Sequence, residues 1–129
     1  HTQKHVGYGP TAMGLMFQLY LGRSPSAESV RRQAKTLSGL RPPMYDPKWS
    51  SEMKASKVDY YYLYHATAAF HRLGGDEWKK WNNAMIKMLG TTQAKSGSWV
   101  PYDTQGTAGG RVFTTASALL TLEVYSRYP

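Results

Sequence analysis

The sequence predicts an all-α protein built from antiparallel helical hairpins that stack side by side. Segments with apolar residues on almost every side alternate with segments that are apolar on one face only, and this alternation is typical of covered and half-exposed helices. Short sequence matches also recur at intervals of about 50 residues, the length of a repeated hairpin. These matches are Thr11-Ala12, His65-Ala66 and Thr115-Ala116. The 129 residues are therefore predicted to form a single domain, 1–129.

The first predicted helix spans residues 11–21. Pro10 precedes it and fits the first turn of a helix, while Gly22 is predicted to end it. Its apolar residues lie on nearly every side, which predicts an inner helix, meaning one covered by neighbours on two sides. These residues are Ala12, Met13, Leu15, Met16, Phe17, Leu19 and Leu21.

The second predicted helix runs to about Leu37 and ends at Gly39. Ser26, with Glu28 or Ser29, is expected to cap its beginning, because short polar side chains accept hydrogen bonds from free backbone amides. Apolar residues occupy only one side of this helix, so it is predicted to be an outer helix, covered on one side.

Residues 41–51 contain three prolines, so a helix cannot continue through them. An ordered loop is predicted here, held by Tyr45 and Trp49. A second inner helix is then predicted from residue 58 to residue 73, where two consecutive glycines end it.

Asp76 is predicted to cap a second outer helix that extends to about Thr92. A loop rich in glycine, serine, proline and threonine follows at residues 96–110. The last segment, residues 111–127, is apolar on most sides and is predicted to be a third inner helix.

One short motif joins the second outer helix to the following loop: Leu89, Gln93, Gly97 and Trp99 in the pattern Leu-x3-Gln-x3-Gly-x-Trp. It resembles the core of the QW repeat of squalene and oxidosqualene cyclases. A glutamine amide can satisfy free backbone groups at a helix end, and a tryptophan stacked over it excludes water. The resemblance therefore implies a structural role for these residues.

The segment from Gly110 to Tyr125 is similar to inner-helix segments of bacterial prenyltransferase/squalene-oxidase-repeat proteins. Together with the motif, this resemblance extends from Tyr60 to Tyr128. It implies an arc of the α/α toroid found in terpenoid cyclases and protein prenyltransferases. A full ring of that family has about twice as many hairpins, so the two ends of the arc are expected to expose apolar surface.

The chain lacks the catalytic groups of the families that it resembles. It contains no Asp-x-Asp-Asp sequence, which supplies the acid in class II cyclases, and no cysteine for a catalytic zinc, a thioester or an Fe–S cluster. His65 and His71 lie six residues apart, whereas two histidines on a helix chelate a metal at a spacing of three or four. No metal and no cofactor are predicted, catalytic residues are not identified, and catalysis by this segment is disfavoured.

An aromatic cluster at the start of the second inner helix gives the candidate binding site. Asp59, Tyr62 and His65, together with Phe17, are predicted to line a cavity that holds an apolar molecule or a cation. The alternative is that Asp59 caps the helix and the tyrosine hydroxyls reach water at the rim, since aromatic residues at helical spacing more often belong to a core.

Charge and hydropathy limit the other partners. The net charge is +8 and the pI near 9.8, but the basic residues are scattered, which favours a solvated basic surface over a nucleic-acid site. No apolar run approaches the roughly 20 residues that cross a bilayer. The start at His1 suggests a piece of a longer chain, and no compartment is indicated.

Two functions remain open at this stage. The first is a non-catalytic repeat module that binds a partner, a second copy or the remainder of its chain through the exposed ends of the arc. The second is part of an enzyme cavity for an isoprenoid or another apolar molecule, whose catalytic acid lies outside this segment.

Overall fold

The computed structural model describes residues 8–40, 42, 48–50, 58–100 and 104–127. Within these ranges it contains five helices and no strand. The helices are α1 (Tyr8–Tyr20), α2 (Glu28–Ser38), α3 (Tyr60–Leu73), α4 (Gly75–Thr92) and α5 (Thr104–Arg127). The all-α prediction is therefore confirmed. No helix in this part of the chain is both long and apolar enough to cross a membrane.

The first hairpin agrees with the predicted helices but not with the predicted cap. Gly22 ends the turn after α1 with a φ of 87°, a value that favours glycine. The residue before α2 is Ala27, and no side chain caps the helix there. Ser26 instead pairs its hydroxyl with that of Ser24, 2.8 Å away. The expected cap is wrong because this hydroxyl is engaged in the preceding turn.

The second hairpin consists of α3 and α4, which a single residue, Gly74, connects. Asp59 caps α3 by accepting a hydrogen bond of 3.0 Å from the backbone amide of Tyr62. Gly74, with a φ of 73°, ends α3 and directly precedes α4. The prediction that Asp76 caps α4 is wrong, because Gly74 reverses the chain two residues earlier. Asp76 lies in the first turn and forms an exposed ion pair with Lys79 at 3.7 Å.

The last helix begins earlier than predicted. Residues 104–109 are helical, although the sequence predicted a loop as far as residue 110. Gly110 has a φ of 74° and interrupts the helix, so the segment after it corresponds to the predicted inner helix. The predicted loop at residues 41–51 lies mostly outside the described residues. Trp49 is described there and is partly buried.

Side-chain contacts fix the direction of the helices within each hairpin. Gln18 of α1 donates a hydrogen bond of 2.8 Å to Gln33 of α2, and the short connection makes this pair antiparallel. In the second hairpin, Trp78 contacts His71 and the Trp81 indole donates to Thr67, so α4 runs back along α3.

The helices α1, α3 and α5 run parallel to one another, with α3 between the other two. Gly9 and Tyr61 lie close together at the beginnings of α1 and α3, and the Arg72 guanidinium lies 5.7 Å from the Tyr20 ring centre at their ends. Tyr125, near the end of α5, lies 5.4 Å from Trp78, next to the end of α3. The helices α2 and α4 pack against α1 and α3, respectively.

The core lies between these two sets of helices and is centred on Trp81. Its ring stacks on Phe70 at 4.7 Å, and its indole nitrogen donates a hydrogen bond of 2.9 Å to the hydroxyl of Thr67. Thr67 is fully buried, so this bond satisfies two polar groups that have no access to water. Other large buried side chains are Leu15, Val30, Leu37, Val58, Tyr60, Leu63, Met85 and Met88.

Candidate functional site

A groove of about 210 Å³ lies between α1, α3 and α5. Its lining is entirely apolar or aromatic apart from two phenol hydroxyls. The lining residues are Met16, Phe17 and Tyr20 of α1, Tyr64 and Ala68 of α3, and Leu120 and Val124 of α5. Concave shape and apolar surface are features of sites that hold apolar ligands, and a volume below the roughly 300–1,000 Å³ of pockets for drug-sized molecules suits a small apolar group or side chain.

Helical spacing explains how the groove forms. Tyr64 and Ala68 are four residues apart, as are Leu120 and Val124, so each pair lies on one face of its helix. Ala68 is buried and small, which leaves room between the larger side chains of α1 and α5.

Phe17 is the one predicted cavity residue that lines this groove. Its side chain is 53% exposed, so much of the ring is available for contact with another molecule. His65 lies beside the groove: its ring is 5.1 Å from that of Tyr64 and 4.5 Å from that of Tyr61. Its Nδ1 lies 2.8 Å from the Tyr61 carbonyl oxygen. Because a carbonyl only accepts, Nδ1 carries the hydrogen of this bond.

Asp59 and Tyr62 lie away from the groove. Asp59 caps α3, as described above, and the Tyr62 hydroxyl donates a hydrogen bond of 3.1 Å to the backbone carbonyl of Leu40. The Tyr62 ring meets the edge of Trp81 at 6.1 Å in the core. Burial, with smaller contributions from Asp59 and Tyr8, raises the pKa of Tyr62 well above its ordinary value.

Apart from Phe17, the groove residues were not among those predicted to line a cavity. Their signal is weak because Met16, Tyr20, Leu120 and Val124 belong to helices that are apolar on most sides. Only the packing of α3 between α1 and α5 separates the residues that fill the core from those that line a groove.

The QW-like motif forms a compact turn after α4. The Gln93 side-chain amide donates to the carbonyl of Gly97 at 2.9 Å, and the Trp99 indole donates to the carbonyl of Leu89 at 3.1 Å. Gln93 and Trp99 also form an isolated antiparallel bridge, and Gly97 has a φ of 83°. In this geometry the tryptophan satisfies a carbonyl in the last turn of the helix, whereas the glutamine closes the turn itself.

The same turn contacts the part of α5 that follows its interruption at Gly110. The backbone amide of Trp99 donates to the hydroxyl of Thr115 at 3.0 Å, and Arg111 donates to the hydroxyl of Ser98 at 2.8 Å. Trp99 is buried, so these hydrogen bonds lie around a buried indole ring. The motif therefore joins the end of α4 to the segment of α5 that follows Gly110.

A wider depression of about 680 Å³ lies beside α2. It contains the basic residues Arg31, Arg32 and Lys35, but Glu28 and Glu77 line it as well. The mixed signs of charge are those of an ordinary solvated surface, whereas a polyanion site concentrates positive charge.

The described residues contain no group of three or more histidine, aspartate or glutamate side chains that could hold a metal ion. His71 packs edge-on against Trp78 at 4.9 Å. Burial, and to a smaller extent the charge of Arg72, lowers the pKa of His71 below its ordinary value.

No protein-family model matches this chain, and neither a curated protein nor a solved structure is significantly similar to it. Because a helical fold alone does not determine function, the groove and the QW-like turn are the features from which a function can be inferred.

Proposed function

We propose that this chain is a non-catalytic helical-repeat module, an arc of an α/α toroid, that binds an apolar ligand or partner segment in the groove between α1, α3 and α5. The observation that carries the proposal is the groove itself. Its lining is apolar and aromatic with two phenol hydroxyls, and such a surface can bind an apolar molecule. A phenol has an ordinary pKa near 10, so these hydroxyls are poorly suited to proton transfer at neutral pH.

The arrangement of the helices supports the repeat part of this proposal. Three parallel helices lie side by side, and two helices of opposite direction pack behind the first and second of them. The QW-like turn links one hairpin to the next helix through Trp99 and Thr115. Contacts of this kind between neighbouring hairpins are those that a repeat protein uses to cover its apolar faces.

Binding of a neutral fluorescent apolar probe, Nile red, tests the groove. Leu120 lines it and is 39% exposed, so Leu120→Glu should leave the fold intact and place a charge inside the groove. We expect about a tenfold loss of probe affinity, because removing one apolar contact of this size costs about 1.4 kcal/mol.

Ile86→Glu is the matched control, since Ile86 is an exposed apolar residue of α4 outside the groove. It should bind the probe like the unmodified protein. Equal loss of affinity in both variants, or no binding by the unmodified protein, would contradict a groove-specific site.

A second candidate function is one wall of an enzyme cavity for an isoprenoid, with the catalytic acid outside this segment. The aromatic rings of Phe17, Tyr20 and Tyr64 on the groove favour it, because such rings stabilise carbocations. Displacement of Nile red by farnesol should then require a lower concentration than displacement by a straight-chain alcohol of similar size. Equal displacement by the two alcohols would count against this candidate.

A further inference from the structure

Arg72 lies at one end of the groove between α1, α3 and α5. Its guanidinium carbon is 5.7 Å from the centre of the Tyr20 ring, and Tyr20 lines the groove. Arg72 also follows the groove residue Ala68 by four positions on α3, so these two residues lie on the same face of the helix, one turn apart. The groove therefore has a positive charge at its rim, near the ends of α1 and α3.

No acidic group within the described part of the chain neutralises this charge. Arg72 is exposed, and among the described residues it has neither a carboxylate within 4 Å nor a hydrogen-bond acceptor. By contrast, Arg23 and Arg111 donate hydrogen bonds to Ser29 and Ser98. Contact with an aromatic ring uses none of the five N–H donors of a guanidinium. These donors of Arg72 are therefore available to a ligand.

The groove beside Arg72 is small and carries no charge of its own. Its volume is about 210 Å³, and its lining is apolar and aromatic apart from two phenol hydroxyls. A molecule that fills the groove and also pairs with Arg72 must therefore combine a small apolar part with an anionic group at one end.

A carboxylate suits Arg72 better than a phosphate group does. A guanidinium and a carboxylate are both planar, and they form two parallel hydrogen bonds. Proteins that recognise phosphate groups on peptides use clusters of arginines, whereas the lining of this groove contributes no basic residue to assist Arg72. The charge at the rim thus matches a single carboxylate.

We propose that the groove binds a monocarboxylate with a short apolar tail, with the tail between α1, α3 and α5 and the carboxylate paired with Arg72. This inference rests on the proposed binding of an apolar ligand and adds the chemical class of that ligand. The Tyr20 ring covers one side of the guanidinium, and limited access of water strengthens a charge-assisted hydrogen bond. Arg72 is then the residue that determines specificity.

A purely structural role for Arg72 makes a different prediction. Arg72 lies in the last turn of α3, where a positive charge offsets the partial negative charge of the helix end. Such a role requires no ligand. If it were the whole role, loss of the charge would lower the stability of the protein but would leave its preference among ligands unchanged.

Displacement of Nile red by octanoate and by octanol tests the anionic group, because the two molecules have tails of the same length. At neutral pH octanoate is charged and octanol is not. We expect octanoate to displace the probe from the unmodified protein at a concentration about tenfold lower than octanol, since charge-assisted hydrogen bonds are the stronger ones. Acetate, which has the carboxylate but almost no tail, should not displace it at these concentrations.

The variant Arg72→Met removes the charge and keeps an unbranched side chain that can contact the Tyr20 ring. It should abolish the preference for octanoate while octanol still displaces the probe. Arg32→Met is the matched control, because Arg32 is exposed on α2, outside the groove, and its loss lowers the net charge equally. The control should keep the preference, and circular dichroism checks that both variants remain helical.

The outcomes separate this inference from the function on which it rests. Equal displacement by octanoate and octanol, an unchanged preference in Arg72→Met, or the same loss in Arg32→Met would overturn the carboxylate site while the groove still bound an apolar molecule. Displacement by acetate as effective as that by octanoate would also overturn it. Displacement by neither octanoate nor octanol would show that the proposed groove function is wrong, and the carboxylate site with it.

Discussion

Tyr62 and Tyr125 differ in what their hydroxyls contact. The Tyr62 hydroxyl donates to the Leu40 carbonyl, whereas that of Tyr125 is buried with no hydrogen-bond partner among the described residues. We expect Tyr62→Phe to lower the free energy of unfolding by about 1 kcal/mol, since it removes a hydrogen bond. Tyr125→Phe should leave that energy unchanged or raise it, because it removes an unsatisfied group. Urea denaturation of both variants measures the difference, and equal losses would contradict it.

The raised pKa values of the same two tyrosines predict how the free energy of unfolding depends on pH. Burial raises the pKa of Tyr125 to about 12, and that of Tyr62 is also raised. A tyrosine in the unfolded chain titrates near 10, so above about pH 10 the unfolded state loses protons that the folded state retains. This contribution to stability is fully present below about pH 10 and is lost as the pH rises through about 12.

Urea denaturation at pH values on either side of 10 checks this expectation. The unfolding free energy should fall more steeply with pH in the unmodified protein than in the Tyr125→Phe variant. Identical pH profiles for the two proteins would show that Tyr125 titrates normally in the folded state.

At the scale of elements, the turn after α4 depends on the backbone conformation of one glycine. Gly97 has a φ of 83°, and an added Cβ atom would contact nothing within 4 Å. Gly90, in the last part of α4, has equally open surroundings but lies in a helix without a positive φ. The two glycines thus differ in conformation and not in available space.

We therefore expect opposite effects of alanine at these two positions. Gly97→Ala should lower the free energy of unfolding by about 1–2 kcal/mol, because a Cβ atom disfavours the left-handed conformation. Gly90→Ala should raise it by about 0.5–1 kcal/mol, because alanine loses less entropy in a helix. Thermal unfolding of both variants provides the test. Stabilisation by both substitutions would mean that the turn is not held in this conformation.

The helices could be predicted from the sequence more accurately than their ends. The predicted ranges 58–73 and 76–92 lie close to Tyr60–Leu73 and Gly75–Thr92, because apolar periodicity extends over whole helices. The caps expected from Ser26 and Asp76 were wrong, since each helix start is set by the geometry of the turn before it. Polar residue type alone does not contain that information.

The candidate site was predictable only in part for a related reason. Phe17 lines the groove, but Tyr62, only two residues from the groove residue Tyr64, belongs to the core. A segment that is apolar on most sides predicts a helix with several covered faces, and it does not indicate which neighbour covers each face. That assignment depends on contacts between residues far apart in the chain.

At the scale of the whole molecule, the net charge of +8 opposes the association of identical copies. Raising the salt concentration from about 0.01 M to about 0.1 M shortens the Debye length from about 30 Å to about 10 Å. We therefore expect self-association of the chain to strengthen over this range, as measured by sedimentation. Weaker association would mean that ion pairs, and not apolar contact, dominate the interface.

The one-residue connection at Gly74 bears on the order in which the chain folds. The segments that meet in this hairpin are close in sequence: Thr67 and Trp81, which share a hydrogen bond, are 14 residues apart. Bringing them together therefore costs little chain entropy. The contact between α1 and α3 instead requires closure of a much longer intervening segment. We expect α3 and α4 to assemble first and to serve as the nucleus on which the flanking helices dock, from the middle of the molecule outward.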